Sequence, residues 1–138
     1  MVIDPSQSPT NATEVSKATT PVPGDLAAWL RGHKRLQVQS EGPTTLGAVA
    51  GTRLDFVVSA GYAAEGCERS SCVLLFGAAP HSVIGVYAGD RNQVSVFRIG
   101  DQTVLVGMSA PADRFDAFAA EATKVIATLG LGPSFTSS

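Results

Sequence analysis

The chain has 138 residues, of which 44% are hydrophobic and 16% charged, and its formal net charge is −2. That is enough apolar material for one domain with a real core. It is too little charge of either sign to mark a nucleic-acid or anionic-membrane surface, and apolar runs such as 73–76 are far too short to cross a bilayer.

Residues 1–24 read as a disordered tether. Pro, Ser and Thr recur there without a hydrophobic period, and such a segment buries too little apolar surface to offset the entropy of ordering it. Met1-Val-Ile-Asp-Pro lacks the basic start and apolar run of a signal peptide, so export implies a targeting or anchoring segment removed from a longer precursor. Asp25 is placed to cap a short helix reaching His33, with Leu26, Trp29 and Leu30 on one face. Residues 36–40 alternate as a strand, Glu41-Gly-Pro turns the chain, and 44–46 open another strand that Gly47-Ala-Val-Ala-Gly51 interrupts. Residues 52–60 form a stronger strand, with Leu54, Phe56 and Val58 on one face and Asp55 on the other.

Beyond the cysteine loop, 73–76 and 83–87 are short apolar strands, and Gly89-Asp-Arg-Asn92 is a turn. Residues 94–99 and 102–109 pair through a two-residue hairpin turn at Gly100-Asp101. The final element is an amphipathic helix over 111–129. Pro111 suits its first turn, Asp113 and Asp116 sit at its positive end, and Gly130 stops it. Phe115, Phe118, Ala119, Ala122, Val125, Ile126 and Leu129 make one apolar stripe along it. This order of elements predicts an α+β fold: an antiparallel sheet of about five to seven strands, with the short N-terminal helix and the long C-terminal helix packed on it. The domain spans 25–132, between the tether and an unstructured tail at 133–138.

Cys67 and Cys72, in Cys-Glu-Arg-Ser-Ser-Cys, are the only cysteines. A structural disulfide closing a short polar loop outweighs a redox pair, which would favour two intervening residues, and a metal site recruiting His33 and His81 at irregular spacing. Such a loop closure is worth roughly 2 kcal/mol and places the domain in an oxidising compartment. Arg31, His33, Lys34 and Arg35 form the one local concentration of positive charge, either a solvated helix end or a docking patch for an acidic partner or lipid headgroups. His81 and Ser82 are adjacent, which gives no nucleophile–base geometry, and Gly-x-Ser-x-Gly, meeting carboxylates and a phosphate-cradling glycine loop are all missing. No catalytic, cofactor or metal residue is expected. The alternative is a small hydrolase-like enzyme whose site is assembled from loop residues around His81, Ser82, Asp90 and Arg91.

Three stretches carry a resemblance: Asp25-Leu-Ala-Ala-Trp-Leu, the run from Thr45 through Val58, and Val94-Ser-Val-Phe-Arg-Ile through Ala110-Pro-Ala-Asp-Arg-Phe-Asp-Ala-Phe. Together with the cysteine pair they resemble small extracytoplasmic domains of actinobacterial lipoproteins and single-pass membrane proteins. The order of elements is similar to the PsbP-like fold shared with LpqN-type mycobacterial lipoproteins. The resemblance implies a PsbP-like sandwich serving as a non-catalytic binding or accessory module. Its partner would be a protein or lipid of the cell envelope, and the soluble domain would be membrane-anchored in its precursor. It carries over no active-site residue, and a lipid-anchoring cysteine is missing.

Overall fold

The computed structural model describes residues 1–3, 18–59, 72–78 and 82–128. The described chain is mixed α and β, mostly strand, with two antiparallel four-stranded sheets and two helices. Its contacts group into two compact units: Met1–Gln37 with Val57–Asp90, and Val38–Phe56 with Arg91–Ser138.

The first unit contains β1 (Val2–Ile3), β2 (Thr19–Thr20), β5 (Cys72–Ala78) and β6 (Ser82–Tyr87), in the spatial order β2-β1-β5-β6. Two of these strands come from the stretch expected to be a disordered tether. Val2 and Ile3 are each 1% exposed. The Met1 nitrogen donates to Gly77 O at 3.1 Å, and Gly77 N donates to Met1 O at 3.0 Å. Two buried β-branched side chains and pairing with a strand distant in sequence hold Val2 and Ile3 in the sheet.

Helix α1 (Leu26–Arg31) is capped as its sequence predicts, Asp25 Oδ1 accepting from Ala28 N at 2.9 Å. It buries Leu26, Ala27 and Leu30, and its half-buried Trp29 tilts against Phe76 of β5 at 6.1 Å between ring centroids. Strand β5 buries Cys72, Val73 and Leu75.

The second unit holds the other sheet, in the order β3 (Leu36–Leu46), β4 (Val49–Val58), β7 (Asp90–Ile99), β8 (Gln102–Pro111). Strand β3 (Leu36–Leu46) runs straight through Glu41-Gly42-Pro43, where a turn was expected. Pro43 is tolerated because β3 is an edge strand, where a missing amide donor need not break an internal ladder. The chain turns instead at Gly47, whose φ of +58° lies in the left-handed region, and re-enters the sheet as β4 (Val49–Val58). Leu54, Phe56 and Val58 are buried on one face, as their alternation predicts. A second left-handed glycine, Gly89, lets β7 (Asp90–Ile99) begin where a longer turn was expected. The Gly100-Asp101 turn then joins β7 to β8 (Gln102–Pro111).

Helix α2 (Phe115–Ile126) starts later than its sequence suggests. Pro111 ends β8, and Arg114 N donates to Pro111 O at 2.9 Å across the intervening turn. Phe115 is buried with Met108 and Ala110 of β8, and Ala119, Ala122 and Ile126 pack against that cluster. Phe118 and Val125, assigned to the same stripe, are 44% and 63% exposed. The expected stripe is wider than the side a helix can press on one sheet, so only the 115–119–122–126 line is covered.

Candidate functional site

Alternation on two neighbouring strands builds the site. The β4–β7 register sets Asp55 opposite Gln93, Arg53 opposite Ser95 and Gly51 opposite Phe97. These six positions share one face, because side chains in a strand alternate sides and every second residue points the same way. Asp55 is only 8% exposed. Its Oδ2 accepts from Ser40 Oγ at 2.9 Å and from Arg53 Nε at 3.2 Å, and its Oδ1 accepts from Gln93 Nε2 at 3.0 Å. A buried carboxylate is costly unless paired and hydrogen-bonded, and both conditions hold here. In return, Asp55 fixes the positions of Arg53 and Gln93.

Next to this cluster, between the sheet and the last turn of α2, lies a cleft of about 470 Å³. Small-molecule sites commonly occupy about 300–1,000 Å³. The polar part of the wall comes from Thr44, Thr45, Arg53, Gln93 and Ser95. The apolar part comes from Leu46, Phe97, Val106, Met108 and Ile126. The Arg53 side chain is 39% exposed against 12% for Asp55, so the pair is buried at the carboxylate and open at the guanidinium. Among the described residues, no histidine, cysteine, carboxylate or lysine lines the cleft. Its described walls offer hydrogen bonds, one guanidinium and apolar surface, which can bind and orient a ligand.

None of the residues singled out from sequence is among those named for this cleft. Of the basic patch, Arg31 and Lys34 are exposed and Arg35 is half-buried, but His33 is 3% exposed. Its Nδ1 accepts from Arg35 N at 3.2 Å, which places the ring proton on Nε2. Nε2 has no hydrogen-bond partner, and Trp29 meets the imidazole edge-on at 5.2 Å. Burial, aided by the Arg35 and Lys34 charges, lowers its pKa from 6.5 to about 4. His33 is therefore a neutral core group and adds no charge to a docking surface. The sequence could not reveal this, because a histidine just past a helix end reads as solvated.

Cys72 is buried at the start of β5, and its expected partner Cys67 lies outside the described residues. So does His81, on which the hydrolase-like alternative depends; the Ser82 side chain is likewise not described. Asp90 opens β7. Arg91 is engaged elsewhere, its guanidinium 4.6 Å above the Phe115 ring and its Nη1 donating to Asp116 at 3.2 Å. Among the described residues, no three His, Cys, Asp or Glu side chains gather to hold a metal ion, and no helix is long and apolar enough to cross a membrane.

Arg53, Gln93 and Ser95 were not foreseen as site residues. Their signal was present: Gly51-x-Arg53-x-Asp55 and Gln93-x-Ser95-x-Phe97 place polar residues on alternate positions of neighbouring strands. Pairing them requires the register, which one strand alone does not supply. The chain matches no family model, no curated protein and no solved structure.

Proposed function

We propose that this chain is a non-catalytic binding module of the bacterial cell envelope, anchored to the membrane by adjoining sequence, and that it takes a small ligand in the cleft beside α2. The observation that carries the reading is the composition of the cleft wall: an oriented arginine, amide and hydroxyl groups, and apolar side chains, with no proton-transfer group among the described residues. A hydrolase would need a base within reach of Ser95 or of a bound water. The antiparallel sheets and the amphipathic C-terminal helix support a place beside the PsbP-like and LpqN-type domains. The pair Cys67 and Cys72, read as a disulfide, supports a location outside the cytoplasm.

Two experiments test this. Titration of the labelled chain with a small-molecule fragment library should move the backbone amide NMR signals of Ser95, Phe97, Val106 and Ile126 together. Scattered or absent shifts would remove the binding reading. Alkylation of the protein unfolded in denaturant, before and after reduction, reports the state of the pair: both thiols should react only after reduction, and reaction without reduction would overturn the placement.

A further inference from the structure

Resting on that reading, we infer that the cleft takes an anionic amphiphile, a carboxylate or phosphate group on a hydrocarbon body, with the head on Arg53. The argument begins with how the arginine is held. Asp55 engages the guanidinium at Nε, its inner nitrogen. Nη2 extends over β3 at Gly42, where even a Cβ would stand 3.4 Å from it. The planar fork is thus fixed at its base before any ligand arrives, and a preorganised guanidinium loses little freedom on binding an oxyanion bidentately. Ser95, directly across the ladder from Arg53, and the neighbouring Thr44 and Thr45 supply hydroxyl donors on the same wall.

The remainder of the cleft is unsuited to a small inorganic ion. Leu46, Phe97, Val106, Met108 and Ile126 offer apolar surface that a free phosphate would leave uncovered. A ligand that satisfies both walls joins a charged group to an aliphatic body. The C-terminal turn of α2 also borders the cleft through Thr123, Ile126 and Ala127, and its carbonyls disfavour an anion. Those carbonyls are partly capped: Ala127 N donates to Thr123 O, and Thr128 N and Oγ1 both donate to Val125 O. A capped, solvated helix end opposes an anion less strongly than a guanidinium fork attracts it.

Calorimetric titration of the intact chain with decanoate, decyl phosphate, decyl maltoside and inorganic phosphate, each amphiphile below its micellar threshold, tests the inference. At least one anionic amphiphile should bind about tenfold or more tighter than both the neutral maltoside and inorganic phosphate. Comparing decanoate with decyl phosphate tells a carboxylate head from a phosphate one. Arg53→Gln should reduce that affinity roughly ten- to a hundredfold, while Arg53→Lys retains part of it. Because Arg53→Gln leaves Asp55 short of its charge partner and could unfold the chain, Ser95→Asp is the second variant. It keeps Arg53 and sets a competing carboxylate across the ladder, and it should cause a loss of similar size. Equal binding of maltoside and anions, or anion binding indifferent to Ser95→Asp, overturns the anionic head and leaves the binding-module reading standing. Failure of every amphiphile to bind, with no fragment shifting the cleft amides, overturns both.

Discussion

Gly51 and Phe97 face each other across β4 and β7, and the Phe97 ring occupies the space that a side chain at position 51 would need. A Cβ on Gly51 would lie 2.5 Å from Phe97 Cδ1 and would also strike the Val96 carbonyl. Gly51→Ala should therefore destabilise the chain by about 1–3 kcal/mol, the usual cost of overpacking, read as a lower denaturation midpoint at unchanged m. Because Val96 contributes backbone, Phe97→Leu in the same chain should restore only part of the loss. A fully tolerated Gly51→Ala would show that the two strands are not this close.

Asp55 holds three donors, and removing it leaves Ser40, Arg53 and Gln93 without their common acceptor. Asp55→Ala should cost about 1–3 kcal/mol in chemical denaturation. Arg53 is partly solvated and can find water, so the Gln93 side of the cluster should carry much of the coupling. A double-mutant cycle between Asp55→Ala and Gln93→Ala should give a non-zero interaction energy. Strict additivity would mean that the amide bond adds nothing.

His33 makes stability depend on acid. In the folded chain it accepts a proton only near pH 4, whereas the unfolded chain takes one near pH 6.5. Between those values the unfolded state binds more protons, so stability falls as pH drops from about 6.5 and stops falling from this source near 4. The shift corresponds to a loss on the order of 3 kcal/mol across that window. His33→Asn keeps an acceptor for Arg35 N and removes the titration. Urea midpoints measured across the same window should slope less in the variant than in the parent, and identical slopes would exclude His33 as the source.

The two sides of α2 should respond differently. Phe118→Lys and Val125→Lys, on the exposed side, should each change stability by less than about 0.5 kcal/mol. Ile126→Ala, the very next residue but packed against the Met108, Ala110 and Phe115 cluster, should cost roughly 1–2 kcal/mol, below the range of fully buried sites. Thermal denaturation separates the two classes, and a large loss at Val125 would show that this side is covered.

Local rules made part of this architecture legible from sequence. The Asp25 cap, the buried Leu54-Phe56-Val58 face and the Gly100-Asp101 turn depend on residues close together in the chain, and each formed as its chemistry predicts. Several of the departures depend on how strands pair, which no single stretch of sequence displays. Val2 and Ile3 are too short a run to show a period, and their partner strand begins at Cys72. Pro43 reads as a turn until β3 is known to be an edge, and Pro111 reads as a helix start until β8 claims it. The Arg53–Asp55–Gln93 cluster was hidden for the same reason, since it exists only once β4 and β7 are in register.

The two compact units share the chain in alternation, the segment 38–56 of the second interrupting the first and the segment 57–90 of the first interrupting the second. Neither can be cut out as one continuous piece. As the chain leaves the ribosome, β4 waits for β7 across more than thirty intervening residues, so its pairing must close a long loop before any contact rewards it. Removing the first residues of this chain therefore takes away Val2 and Ile3, the neighbours of a strand that is made some seventy residues later.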